Sequence, residues 1–288
     1  MEPILLDPVS LRKVRSYFDR NLGGVTKIPF EKYLHDTLSF DRSEEAFALL
    51  EKKSTLPLAG KKLLEIGSGF GTFVLNAIER HGVRAYGAEP EDVCCEVSRG
   101  IFIAKGLSPE PISRCPGEAL PYQDGFFDIV YSSNVLEHVR DPGKVLSEAL
   151  RVLKPGGTLF FVIPNYGSWW EGHYGLLWLP NMPKALARVY VRIFGRDPGF
   201  IDTLQFISLA GAKAMARDMG DRMQVMDWGW DIWEQRLTGL DFSGWAELYK
   251  LKKILAALNN LKILYIVKVI GRRLGWLTPI IMTAKKRG

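Results

Sequence analysis

Cysteine is scarce in this 288-residue chain, which has only Cys94, Cys95 and Cys115. None stands in a Cys-x-x-Cys pair or at paired metal-ligand spacing, which excludes a disulfide framework and a cysteine-held metal. Two are adjacent within an expected helix, and all three read as reduced packing residues. Long apolar runs are missing as well. Ile263 to Val267 is fully apolar, but Lys262 and Lys268 bracket it, far short of the roughly 20 residues of a membrane-crossing helix. No apolar stretch behind a basic start appears in Met1 to Pro8, so no secretory leader is read and the expected location is the cytoplasm. Repeats and low-complexity tracts are absent. Acidic residues stop at Glu247, whereas ten Lys or Arg lie between Lys250 and Arg287. The net charge of +6 is therefore local, because the remainder carries 28 basic against 32 acidic residues. That asymmetry argues against a nucleic-acid partner and leaves two readings open: peripheral contact with an anionic membrane, or a solvated helix face.

What the sequence has is core-forming material. With 47% hydrophobic and 24% charged residues, one large domain with insertions is expected. Leu11, Val14 and Phe18, then Ala46, Leu49 and Leu50, follow helical spacing and predict helices over Ser10 to Asn21 and Phe30 to Lys53. They form an N-terminal helical cap over residues 1–60. From Lys62, short apolar runs alternate with helical stretches. Strands are expected at Leu63 to Ile66, Arg84 to Glu89, Ile112 to Arg114, Phe127 to Ser132 and Thr158 to Ile163, with a sharp break at Lys154-Pro155-Gly156-Gly157 after the helix Val145 to Leu153. Ser208 to Gly220 reads as a helix, and Met223 to Trp228 and Ile280 to Ala284 read as the sixth and seventh strands. The fold class is α/β, with a doubly wound, mostly parallel seven-stranded sheet. A ligand-binding core over 61–165 is followed by a lid or acceptor insertion over 166–207 and the end of the core over 208–288. Within that last part, a basic amphipathic insertion at about 233–276 sets Leu251, Ile254, Leu255, Leu258 and Leu261 opposite Lys252, Lys253, Asn259 and Asn260.

The chemistry is concentrated where the first strand, Leu63-Leu64-Glu65-Ile66, runs into Gly67-Ser68-Gly69-Phe70-Gly71-Thr72 and then a helix. Such glycines permit a tight turn and bring backbone N–H groups close to a ligand. A dinucleotide fingerprint requires glycine where Thr72 stands, so a diphosphate fits poorly. Glu65 also disfavours an anionic ligand and suits the cationic amino-acid end of S-adenosylmethionine. The second strand ends in Glu89, at the distance where an acid accepts hydrogen bonds from two ribose hydroxyls.

With Gly117-Glu118-Ala119-Leu120-Pro121, Phe127 to Val139 and Leu153-Lys154-Pro155-Gly156-Gly157 in order, the stretch from about Leu63 to Pro164 resembles the class I methyltransferase core, specifically the type 11 group. The resemblance implies a Rossmann-like fold and S-adenosyl-L-methionine as cofactor. It assigns Glu65, Gly67, Gly69 and Gly71 to the methionine end, Glu89 to the ribose, the loop before Leu120 to adenine, and Asn134 to a place under the sulfonium. Pro116 stands where the family often has Asp, so adenine contact is expected from the backbone near Gly117 and Glu118. Quinone O-methyltransferases resemble this region too, but their metal signature is Glu-x-x-Glu-His. Here it reads Asn134-Val-Leu-Glu137-His138, and no metal is expected.

Glu137 and His138 have two readings, as caps for the helix starting near Asp141, or, for His138, as a general base toward a hydroxyl acceptor. After the fifth strand, Pro164 to Tyr174 and Leu177 to Pro180 form an irregular aromatic run at the ligand-bearing end of such sheets. Its Glu171, His173 and Tyr174 suit a sugar-like or ring-shaped acceptor, and His173 is the second candidate base; the alternative is an anchor for the lid itself. Trp170-Glu171-Gly172-His173-Tyr174, with Gly195 to Pro198, is loosely similar to methyltransferases of bacterial cell-surface glycan pathways. The expected function is methyl transfer to a small-molecule, sugar or lipid-linked acceptor at oxygen, in envelope glycan or lipid synthesis. The competing classes are a nucleotide-dependent oxidoreductase, disfavoured by Thr72, and a non-catalytic binding module, disfavoured by the intact glycine loop. Nucleic-acid amino methylation is disfavoured because Asn134 is not followed by Pro-Pro-Tyr.

Overall fold

Residue spacing decides which segments become helix and which become strand. The computed structural model describes residues 3–54, 57–239 and 263–288. Helix α1 (Pro8–Asn21) starts on Asp7, whose carboxylate accepts from the Val9 and Ser10 amides, and it buries Val14 and Phe18 one turn apart. The single helix expected over Phe30 to Lys53 is two, α2 (Phe30–Leu38) and α3 (Asp41–Ser54). Ser39 is extended, and its hydroxyl accepts from the Asp41 amide while Phe40 turns into the core. Serine competes with the helix through such local bonds, so the break falls there.

Next come β1 (Lys62–Ile66), α4 (Thr72–His81), β2 (Arg84–Glu89), α5 (Asp92–Ala104), β3 (Ile112–Arg114), β4 (Phe127–Ser133), α6 (Pro142–Val152) and β5 (Leu153–Ile163). A two-stranded hairpin, β6 (Trp170–Glu171) and β7 (Leu176–Leu177), precedes α7 (Lys184–Ile193), α8 (Phe200–Thr203), α9 (Leu209–Asp218), β8 (Met223–Asp227), α10 (Trp230–Gly239), α11 (Ile263–Leu274) and β9 (Ile280–Lys286). Strand order is β3-β2-β1-β4-β5-β9-β8. The first five are parallel, and β9 runs antiparallel to both its neighbours. This is the doubly wound, seven-stranded sheet expected. The β5 start differs: Phe127 pairs with Leu153 and then Ile129 with Thr158, so Lys154 to Gly157 form a bulge inside the strand instead of preceding it.

Adjacent residues feed opposite faces of the sheet. Leu64, Ile66 and Val130 pack with Val145, Leu146 and Ala149 of α6. Leu63, Ile129 and Tyr131 pack with Phe47, Phe73 and Phe102 from α3, α4 and α5. The N-terminal helices cover this second face, with α1 against α5 and α3 against α4. Residues after β5 form a third cluster around Tyr166, Tyr174, Trp178, Val191 and Ile201. The three cysteines are buried free thiols, as expected of packing residues. The proposed amphipathic face from Leu251 to Leu261, with Lys252, Lys253, Asn259, Asn260 and Lys262, lies outside the described residues.

Candidate functional site

Winding reverses between β1 and β4, and the loops leaving their C-terminal ends border the resulting crevice. The loop after β1 is held by amides of Gly67 and Ser68 donating to the Ala88 carbonyl. Gly67 has φ 76°, and a Cβ there would lie 2.2 Å from Val135 Cγ2, so the loop and the β4 exit are pressed together. Gly69, at φ 52°, would point a Cβ into open space. Gly71 begins α4 against Ser98.

Two acids meet at this loop. Glu89, at the end of β2, accepts from the Gly69 amide at 2.8 Å and the Glu91 amide at 2.9 Å. Burial raises its carboxyl, and those two amides offset only part of the rise. Glu65 is buried with Oε2 lacking any hydrogen-bond partner. Burial, reinforced by the charge of Glu89, holds its carboxyl well above the usual range. A cavity of about 350 Å³ opens beside Glu65, Ser68, Gly69 and Ser133. Its other wall is Tyr17, Tyr33, Thr37 and Arg42 from the helical cap. Sequence reasoning missed these, because helical spacing signalled only the apolar face of the same helices.

On the other side of the loop, Gly117 is buried, and a Cβ there would lie 2.9 Å from Ile66 Cγ2. Glu118 accepts from the Arg140 and Asp141 amides at 3.0 and 3.3 Å. Its side chain thereby fastens the approach to α6. Asp141 caps α6 by accepting from the Lys144 amide, so Glu137 and His138 have no capping role.

Asn134 leaves β4 in the left-handed region at φ 54°, its amide donating to the Val162 carbonyl. A non-glycine residue held there marks a specified turn. The turn closes with the His138 amide on the Val135 carbonyl; Glu137 is completely buried, and the His138 side chain, partly buried, is 38% exposed. From the distant β6–β7 hairpin, His173 brings its Nε2 to 3.2 Å from His138 Nε2. Glu171 Oε1 lies 2.7 Å from His173 Nδ1. Glu171 also accepts from the Tyr166 hydroxyl and the Tyr174 amide. Tyr174 is itself buried and donates to the Asp197 carbonyl. Glu171 and Tyr174 are thus part of the scaffold of the segment after β5, and His173, bonded to it through Nδ1, is the one of the three that keeps a ring nitrogen outside it.

The charges in this cluster are unequal. Burial, with the neighbouring His173, pushes the His138 imidazole down to about 4. Burial alone would lower His173 too, but the Glu171 charge outweighs it and the net shift is upward. Burial pushes Glu137 up to about 7. Both Glu137 oxygens lack a hydrogen-bond partner. No spacing rule could have joined Glu137 and His138 to His173, since the junction is made by the tertiary fold.

A family described as a methyltransferase domain matches residues 64–161. An uncharacterized methyltransferase of Mycobacterium tuberculosis is 34% identical over 185 residues, covering 60% of this chain and 70% of that protein. Among solved structures, phosphoethanolamine N-methyltransferase 2 of Haemonchus contortus in complex with S-adenosyl-L-methionine superposes with a TM-score of 0.53, at 17% identity over 85% of this chain and 53% of that one. The same enzyme with phosphomonomethylethanolamine and S-adenosylhomocysteine gives 0.55, at 16% identity over 98% and 61%. At these identities the structural likeness speaks for the fold.

Proposed function

The chain belongs to the class I S-adenosylmethionine-dependent methyltransferase family, and we propose that it methylates an oxygen of a small, sugar-like or lipid-linked acceptor held beneath the β6–β7 lid. The cofactor is S-adenosyl-L-methionine, which supplies a methyl group already activated on a sulfonium. The observation that carries the cofactor site is Glu65: a buried carboxylate with an unpartnered oxygen is costly unless a bound cation completes it. Glu65 and the backbone of Gly67, Gly69 and Gly71 would hold the amino-acid end. Glu89 has lone pairs left for two hydroxyls after the Gly69 and Glu91 amides are counted. Gly117 and the Glu118 backbone would border adenine, and Asn134 the transferred methyl.

On the acceptor side, Glu171 fixes His173 with Nδ1 as donor, leaving Nε2 as the basic atom, and His138 carries the contact outward. The pair would ease loss of a hydroxyl proton, the reason oxygen is proposed over an amine that needs no base. Exposed apolar side chains on α7, Leu186, Val189 and Ile193, lie among Lys184, Arg188 and Arg192. They support a lipid-linked acceptor presented at an anionic membrane in envelope synthesis. Offering radiolabelled S-adenosylmethionine to host extracts and fractionating the product tests the reading. Label in glycan or lipid through an oxygen–methyl bond is expected; label in nitrogen compounds or nucleic acid would overturn it.

A further inference from the structure

We propose that Glu137, His138 and His173 form a binding site for one divalent transition-metal cation, of the zinc type. Glu137 Oε1 lies 3.7 Å from His138 Nε2 and 3.7 Å from His173 Nε2, and the two nitrogens are 3.2 Å apart. A point equidistant from three atoms so spaced is about 2 Å from each, the length of a zinc bond to imidazole or carboxylate. The three come from two places far apart in the chain, Glu137 and His138 from the turn after β4 and His173 from the β6–β7 hairpin, and they are the described residues that meet at such a spacing.

An ordinary N–H···N hydrogen bond between the imidazoles would account for the 3.2 Å nitrogen contact. It leaves Glu137 fully buried with neither oxygen hydrogen-bonded, its nearest cationic contacts being the two imidazoles at 3.7 Å. A cation among the three atoms pairs that carboxylate and uses both nitrogens. The next layer of contacts fits as well. Glu171 binds His173 Nδ1 at 2.7 Å, fixing the tautomer in which Nε2 carries a lone pair, the support usual for a metal-bound histidine. Two imidazoles and one carboxylate select a first-row transition ion over magnesium or calcium, which prefer all-oxygen sites. The absent carboxylate at Asn134, which argued against a metal in the sequence, is replaced by a ligand 39 residues further along the chain at His173.

Three protein ligands leave one position open, as in catalytic sites. Resting on the oxygen acceptor proposed above, that position takes the acceptor hydroxyl, and the cation replaces the free imidazole pair as the group that eases its proton loss, since both Nε2 lone pairs are then on the metal. The bound hydroxyl loses its proton to solvent more readily. The oxygen lone pair then forms the new O–C bond while the S–C bond breaks and its electrons return to sulfur.

The test uses the untagged full chain, stripped with EDTA and titrated with Co²⁺, then with competing Zn²⁺. One equivalent of cobalt with the visible absorption of low-coordinate cobalt is expected. Glu137→Gln and His173→Ala should each weaken binding at least 100-fold, and Glu171→Gln about 10- to 100-fold. Melting curves and S-adenosylhomocysteine calorimetry on the same samples report folding and the cofactor site. An intact, cofactor-binding parent that takes up no cobalt overturns the metal site, as does cobalt binding that survives loss of both His138 and His173. Specific cobalt uptake without cofactor binding would support the metal site and count against the methyltransferase reading alone.

Discussion

At the level of single residues, Glu65 carries an unfavourable charge that a ligand would make favourable. Its folded carboxyl is raised by burial and by Glu89, so the folded state favours the protonated form. For an acid with a raised folded value, the cost is absent below the ordinary carboxyl range, grows as pH rises through it, and is constant above the raised value. An ammonium group bound beside Glu65 reverses that preference. We therefore expect S-adenosylhomocysteine to bind more weakly as pH falls through the raised value, with proton release on binding in that range. Glu65→Gln should melt higher at neutral pH without ligand, yet bind S-adenosylhomocysteine about 10- to 150-fold more weakly, in line with a charge-assisted hydrogen bond worth about 1.5 to 3 kcal/mol. Calorimetry across pH decides; affinity that is level or rising toward low pH would remove Glu65 from the site. Glu89→Ala should cost the same order of affinity, although part of that loss would come from freeing the Gly69 amide. These two acids were legible in the sequence because strand, glycine loop and acid are local and spaced by backbone geometry. Tyr17, Tyr33 and the junction of Glu137 with His173 were not, because the fold brings them in from other elements.

At the level of elements, the glycine loop separates what supports the fold from what meets a ligand. Gly67 faces Val135 with no room for a methyl group, whereas Gly69 faces open space. Gly67→Val should therefore drive the loop off the β4 exit and lower the melting temperature markedly. Gly69→Val bears only the left-handed backbone penalty, about 1 to 2 kcal/mol, but fills the space a ligand needs, so cofactor binding should vanish from a protein that still folds. Equal melting and equal binding in the two variants would mean the loop is no cofactor cradle. The lid makes the opposite case. Trp178 is 1% exposed in the third cluster, and Trp178→Ala should cost about 3 to 5 kcal/mol of local packing. Protease cleavage should increase between Tyr166 and Leu204 while S-adenosylhomocysteine affinity stays within about 2-fold; a fall in affinity beyond 10-fold would tie the lid to the cofactor end instead. The seven strands of the main sheet were readable as short runs, the five parallel ones because both faces of a parallel sheet are buried, whereas the β6–β7 hairpin was not read from the sequence. The break at Ser39 was not, because the helical spacing of Ala46, Leu49 and Leu50 lies wholly beyond it, within α3, and a side-chain hydroxyl decides where the backbone turns.

For the whole molecule, the open issue is where its unbalanced charge and exposed apolar surface are used. No helix among the described residues is long and apolar enough to cross a membrane. Two helices nevertheless present apolar side chains outward beside cations: α7 with Leu186, Val189 and Ile193, and α11 with Tyr265, Ile266, Ile270 and Leu274 near Lys268, Arg272 and Arg273. Trp169 of the lid packs edge-on against Trp276 just after α11, so the lid and the C-terminal region are in contact. Each cation at an anionic bilayer contributes about 1 kcal/mol, but Arg188 is paired with Asp202 and Arg272 with Glu234, and such pairs must be discounted. For the cations that remain we propose an interfacial posture in which apolar side chains enter the headgroup layer and cations hold the surface. The prediction is co-sedimentation with phosphatidylserine-containing vesicles at low salt, loss of binding at high salt, and little binding to neutral vesicles. Leu186→Glu with Ile193→Glu should weaken it through α7, and Lys252→Glu with Lys253→Glu through the basic segment, without changing S-adenosylhomocysteine affinity. If the chain stays in the supernatant with acidic vesicles at low salt, the exposed apolar faces belong to a protein contact, and the acceptor must reach the lid as a free small molecule.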